Sequence, residues 1–316
     1  SHIRDEGGRL LESVDEVIQV AEGAGVAGQV THHKVVGPDR WGNSTASLQR
    51  IEQARARGVD VTSDVYPYAA SSTGLTILFP SWSREGGSGA LEDRLNDPDT
   101  RPRIRAAIAR HIEAERGGDP STIVLSRCAW NGALDGKSLA DVLAERGQPV
   151  TVEAAAELAI DLQAQGGCRV VLHSMAEEDV RRIMQHPTSM IASDGGIPAP
   201  GVGAPHPRSY GTFARVLGYH VREEGVLSTR EAIHKMTGLP ARRLALPDRG
   251  VLQEGAIADV TVFDPATLID HATFADPHQF ASGVKHVFVA GEAVLHEGDV
   301  TGARPGHVLR GTFTEH

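Results

Sequence analysis

Two cysteines in 316 residues, aromatic side chains at 4% and fewer basic than acidic groups are what this sequence is short of. Cys128 and Cys168 are too few for a disulfide framework, so the expectation is of buried thiols in a reducing, cytoplasmic setting. No apolar run approaches the ~20 residues that a membrane-spanning helix needs, and no secretory apolar segment stands near the start, so no membrane partner is expected. Lys and Arg number 31 against 41 Asp and Glu, and the net charge of −10 argues against a phosphate backbone as partner. The arginines between Arg101 and Arg110 are interrupted by apolar positions at helical spacing, which reads as a solvated helix face. What is present, 40% hydrophobic and 23% charged residues, suits a soluble globular chain with a sizeable core.

Periodicity organises the chain. Leu10, Leu11, Val14, Val17, Ile18 and Ala21 recur as on one face of a helix, stopped by Gly23 and Gly25. Gln29 to Val36 reads as a strand ending at Gly37-Pro38, followed by a helix over about 44–57 and a strand over 59–66. This alternation predicts βα units and a parallel sheet. The pattern breaks after Tyr68 and resumes about a hundred residues later at Met190. The intervening helices (about 101–116, 138–146 and 151–165) and short strands (123–125 and 169–172) read as an inserted α/β lid, with Gly86-Gly87-Ser88-Gly89 as loop. Helices are expected at about 209–223 and 228–236, the second opened by a Ser228-x-x-Glu231 capping box. From Gly250 onward short alternating strands, including Val251-Leu252, suggest a small β domain. The sequence opens on Ser1 in what reads as a strand-to-loop transition, and the expectation is of a fragment or cleaved product.

Three segments carry chemistry. His2 lies at the start, Thr31-His32-His33-Lys34 ends a strand, and Ser193-Asp194-Gly195 ends another. Side chains alternate along a strand, so His32 and Lys34 share one face and His33 takes the other. His32 is assigned to the mouth with His2. A single histidine is more often a satisfied polar residue than a ligand, and Ser-Asp-Gly is also an ordinary turn; the convergence of His2, His32 and Asp194 is what points to a metal. Tyr66-Pro67-Tyr68 is either an aromatic plug or a source of a phenol for a reacting carbonyl. His206 lies in the loop after Asp194, within reach of the same mouth.

Ser1-His2-Ile3-Arg4-Asp5-Glu6, Thr31-His32-His33-Lys34, Tyr66-Pro67-Tyr68, Ser193-Asp194-Gly195, Pro205-His206-Pro207-Arg208 and Gly255-Ala256-Ile257-Ala258-Asp259 together resemble the N-acyl-D-amino-acid deacylases (D-aminoacylases) of the amidohydrolase superfamily, along nearly the whole chain. The resemblance implies the second half of a (β/α)8 TIM-type barrel, strands five to eight, in residues 1–247, with the lid at about 74–167 and the β domain at 248–316. It implies zinc as cofactor with His2 and His32 as ligands, and Asp194 as catalytic acid and base. Lys34, Tyr66 and Ser72 would contact the substrate, with His206 as a further substrate-binding candidate. The reaction would be zinc-dependent hydrolysis of an N-acyl-D-amino acid to a carboxylate and a D-amino acid. A His-x-His pair and a cysteine ligand of the family's front half have no counterpart here. The expectation is therefore a chain inactive by itself, with the missing N-terminal half as a partner. A cyclic amidase of hydantoinase or dihydroorotase type, or a non-catalytic fragment, is the rival reading.

Overall fold

The periodic apolar positions of the first segment become the buried stripe of helix α1 (Leu10–Ala24) in a computed structural model of the chain, which describes residues 1–310. Gly25, at φ 64°, ends that helix in the left-handed region with its N–H on the Ala21 carbonyl. Strand β1 (Gly28–Val30), helix α2 (Ser44–Ala56) and strand β2 (Val61–Val65) follow. The chain then leaves through β3 (Ala70–Gly74), α3 (Ser81–Arg84), α4 (Gly87–Asn96), α5 (Arg101–Arg116), β4 (Ile123–Arg127), α6 (Leu139–Glu145), α7 (Val152–Ala164) and β5 (Arg169–His173). It returns by α8 (Glu177–Gln185) to β6 (Ser189–Ile191), and α9 (Arg208–Arg215) runs into a π-helical stretch ending at Glu223. Helices α10 (Thr229–Met236) and α11 (Gly238–Arg243) precede β7 (Val260–Phe263), β8 (Val284–Val289), β9 (Glu292–His296) and β10 (Asp299–Val300).

Three sheets result. β1, β2 and β6 pair in parallel in that order, and the Ser1 carbonyl accepts the Thr31 N–H at 3.0 Å, so the first residues lie along the free edge of β1. Because these strands run the same way, their C-terminal ends gather at one edge, where a parallel α/β layer builds its sites. The inserted segment forms an antiparallel sheet, β3-β5-β4, with its own core of Ile104, Ile108 and Ile112 from α5 against Leu158 and Leu162 from α7. β7 to β10 form an antiparallel sheet. No helix among the described residues is long and apolar enough to cross a membrane. Residues 311–316, the end of the proposed β domain, lie outside the described residues.

Several local expectations are corrected. Cys128 and Cys168 are not thiols: they are joined in a disulfide across the ends of β4 and β5, which removes the argument from free cysteines for a reducing compartment. The first strand stops at Val30 instead of continuing to Val36, because Thr31 and His32 turn away. Gly87 to Gly89 open α4 instead of forming loop, Gly86 at φ 87° supplying the entry. Val251-Leu252 is exposed and pairs with no strand. The two ends of the inserted segment are joined by the antiparallel pairing of β3 with β5.

Candidate active site

His32 owes its position to the neighbouring strand. The Asp64 carboxylate on β2 accepts the His32 N–H at 2.7 Å and the Gln29 side-chain amide at 2.6 Å. Those bonds hold His32 at φ 42°, a conformation that costs a non-glycine residue on the order of 1–3 kcal/mol. In that pose its Nε2 lies 2.7 Å from His2 Nδ1. His33 points the other way, with Nε2 2.8 Å from Ser47 Oγ on α2; burial, then the Lys34 charge, depress its pKa to about 3, so it is neutral.

Glu6 completes the cluster. Its carboxylate lies 3.0 Å from His32 Nδ1 and accepts from Lys34 Nζ, which also donates to His32 Nδ1 at 2.6 Å. Burial alone would raise the Glu6 pKa, but Lys34 and His32 hold it down at about 2. Lys34 is itself buried, which lowers its pKa against the pull of Glu6. Its ammonium is thus engaged inside the cluster instead of waiting for a substrate carboxylate. Ligand atoms of His2, Glu6 and His32 all lie within 4.8 Å of one another. Two imidazoles and a carboxylate are a donor set that zinc accepts.

The facing wall comes from the end of β6 and the start of α9. Asp194, also left-handed at φ 48°, pairs with Arg208 Nη1 at 2.9 Å. The Arg208 guanidinium lies 4.6 Å from the centre of the Tyr66 ring, a cation–π contact. Tyr66 is fully buried with its hydroxyl on Met175 Sδ at 3.8 Å, and burial raises its pKa, keeping the phenol a proton donor. Both walls border one cavity of about 520 Å³, roofed by His111 and Arg116 of α5 and edged by Ser72 of β3. The inserted segment therefore shares with the ends of the parallel strands in lining this cavity.

His206 is placed differently from the expectation. It is buried, its Nε2 donates to the Ala70 carbonyl at 2.9 Å, and its Nδ1 accepts the Arg208 N–H at 3.0 Å. No ring nitrogen is left for a ligand, and the residue's evident work is to hold Arg208. The sequence reading missed Glu6 and Arg208. Both stood inside the motifs it singled out, Glu6 four residues after His2 and Arg208 two after His206. Asking what neutralises a buried Lys34 would have found the first.

The model of an amidohydrolase family matches residues 49–295. The chain belongs to the amidohydrolase family. Among its relatives, the N-acyl-D-glutamate deacylase of Alcaligenes xylosoxydans xylosoxydans is 38% identical over 310 residues, 98% of this chain and 54% of that protein. A D-aminoacylase of the same organism is 36% identical over 312 residues, 99% of this chain and 54% of its own length. This amidohydrolase thus spans about half the length of the curated relatives it matches. The crystal structure of N-acyl-D-glutamate deacylase from Bordetella bronchiseptica, complexed with zinc and a phosphonate inhibitor, superposes with a TM-score of 0.76 at 35% identity, covering 98% of this chain and 55% of that one. A D-aminoacylase structure gives 0.78 at 33% identity over the same shares. The α/β architecture is that of these amidohydrolases.

Proposed function

We propose that this chain carries the metal-binding and proton-transfer half of a zinc-dependent N-acyl-D-amino-acid deacylase, its strands being the last four of a (β/α)8 barrel in residues 1–247. The lid at about 74–167, the β domain at 248–316 and a cytoplasmic location belong to the same proposal. The observation that carries the reading is the meeting of His2, His32 and Glu6 across one cavity from Asp194.

His2 and His32 would hold the metal, with Glu6 beside them. Zinc supplies, when bound, a Lewis acid that polarises the amide carbonyl and lowers the pKa of water. Asp194 takes a proton from the attacking water and returns it to the departing amine, which leaves as a neutral amine instead of an amide anion. Arg208 orients Asp194 and offers its remaining N–H groups to the substrate carboxylate, a role that a planar guanidinium fills well. Tyr66 donates to the acyl oxygen as charge develops there, and Ser72 edges the same space. Lys34 keeps Glu6 ionised and His32 oriented.

Zinc titration of the 316-residue chain, followed by calorimetry with N-acetyl-D- and N-acetyl-L-amino acids, tests the reading. Zinc binding that is lost in His2→Ala and His32→Ala, with binding of the D ligand preferred, is the expected result. Zinc affinity unaffected by either substitution would overturn it.

A further inference from the structure

The chain that leaves Asp194, residues 195–205, has no regular structure, because its glycines and prolines, among them Gly195, Gly196, Pro198 and Pro200, deny it a ladder of its own. It nevertheless forms one wall of a cavity of about 320 Å³ bordered by Asp194 and Arg208, so its course bears on where the Asp194 carboxylate points. Two adjacent residues fix that course. The Ala204 N–H donates to the Ser126 carbonyl of β4 at 2.7 Å, and the Gly203 carbonyl lies 3.0 Å from His278 Nε2. Gly203, at φ 72°, passes so near β4 that a Cβ there would stand 2.7 Å from the Ser126 carbonyl. A carbonyl only accepts, so Nε2 carries the proton, and in the neutral ring Nδ1 then accepts the Tyr210 hydroxyl at 2.8 Å. Tyr210 is on α9, the helix that opens with the Arg208 paired to Asp194. The imidazole therefore closes a ring, from Asp194 along the loop to Gly203, across His278 to Tyr210, and back through Arg208. His278 belongs to the connection between β7 and β8, residues 264–283, which is closed at its base by the Asp264 N–H on the Gly283 carbonyl at 2.9 Å. The same connection meets the site's supports twice more. Asp270 pairs with Arg215 of α9 at 3.5 Å, and the Phe274 ring packs edge to face, 5.0 Å between centres, against the His206 that holds Arg208.

We infer that His278 is a positioning residue for Asp194, acting through the 195–205 loop, and that the β7–β8 connection thereby braces the acid–base group from the antiparallel sheet. The inference rests on the deacylase reading. A histidine that merely filled space would have no use for two ring nitrogens each bonded to a different segment. A phenyl ring in its place would keep the edge contact with Tyr210 and lose both bonds. The loop would then be tied by the Ala204 bond and by the Gly196 N–H on Ser209 Oγ at 3.3 Å. Proton transfer tolerates little misplacement: ~1 Å at a reacting group costs up to about 10²-fold in rate.

Amide hydrogen exchange of the 316-residue chain, with no metal or substrate added, tests the clamp. In His278→Phe the Ala204 and Gly196 amides should exchange about threefold to tenfold faster, the net worth of one hydrogen bond, while the amides of β8 keep their rates. His278→Gln, whose carboxamide N–H still donates to the Gly203 carbonyl, should restore the slow exchange. In a complete enzyme, with the N-terminal half supplied, His278→Phe should lower kcat for an N-acetyl-D-amino acid about tenfold to a hundredfold with KM nearly unchanged, and Gln should recover most of the loss. If the Phe variant does not fold, Tyr210→Phe, which frees Nδ1 and keeps the imidazole, carries the same comparison. Unchanged loop exchange, or a loosened loop with unchanged kcat, overturns the positioning role. Protection lost equally from β8 and the loop makes His278 a structural residue and overturns it as well. An unsubstituted complete enzyme that hydrolyses no N-acetyl-D-amino acid overturns the deacylase reading instead, and the exchange rates still decide the clamp.

Discussion

Lys34 is a buried ammonium group, and Glu6 is the carboxylate that makes this tolerable. Removing one partner of a buried pair leaves an uncompensated charge, at a cost of about 3–5 kcal/mol. Glu6→Gln should therefore lower the urea midpoint and weaken zinc binding together; an unchanged midpoint would show the pair to be dispensable. On the proposed reading Asp194 bears on rate instead. In a complete enzyme, with the N-terminal half supplied, Asp194→Asn should reduce hydrolysis of an N-acyl-D-amino acid by ~10²–10⁴-fold while metal analysis finds the zinc content intact. Retained turnover would remove Asp194 from proton transfer. At this scale the sequence was legible where the chemistry is rare and its members are spaced by whole strand units, as with His2 and His32. It was opaque where a role depends on burial: nothing in the order of residues says that Lys34 lies inside, and so nothing said that Glu6 rather than substrate neutralises it.

Helices α6 and α10 announce themselves, because Ser138 with Asp141 and Ser228 with Glu231 are capping boxes formed wholly within four residues. The end of β1 does not, since the bond that turns the chain at His32 comes from Asp64 on the adjacent strand. The disulfide was equally hidden. Cys128 and Cys168 are 40 residues apart, and only the antiparallel pairing of β4 and β5 sets them side by side. Closing a loop of that length restricts the unfolded chain by about 4 kcal/mol in the chain-entropy account. Reduction, or Cys128→Ser with Cys168→Ser, should accordingly lower the midpoint of the inserted sheet, read by the fluorescence of Trp130, whose indole N–H donates to the Gly167 carbonyl beside Cys168. Identical unfolding curves with and without reductant would contradict this.

Across the whole molecule, three buried histidines and the partly buried His111 set the acid limit. Burial first, with nearby cations second, depresses His33 and His206 to about 3 and His111 and His220 to about 4. In the unfolded chain each would protonate near 6.5, so between that pH and their folded values the unfolded state binds more protons. The stability they contribute is complete above about 6.5 and is lost as pH falls toward 4 and below. Urea midpoints measured from pH 7 to pH 4 should fall steadily, and a flat profile would refute the assignment. The parallel layer and the inserted unit were both visible in the sequence as a rhythm and its interruption. That His111 and Arg116 of the insertion help to line the cavity at the ends of the parallel strands follows from packing that no periodicity encodes.

The interruption also has a bearing on how the chain reaches its fold. Ser63 and Ser189 hydroxyls meet at 2.6 Å across β2 and β6 although 126 residues separate them. A contact so remote in sequence is slow to form in an open chain, because the closure entropy must be met before any bond rewards it. The pairing of Ala70 with His173 in β3 and β5 shortcuts that search: once it is made, only the short stretch from Ser63 to Ala70 and the α8 segment from His173 to Ser189 remain to be drawn together. The inserted sheet thus serves as a temporal clasp. Refolding followed by hydrogen exchange should protect Ser72 and Val171 before Ser63 and Met190.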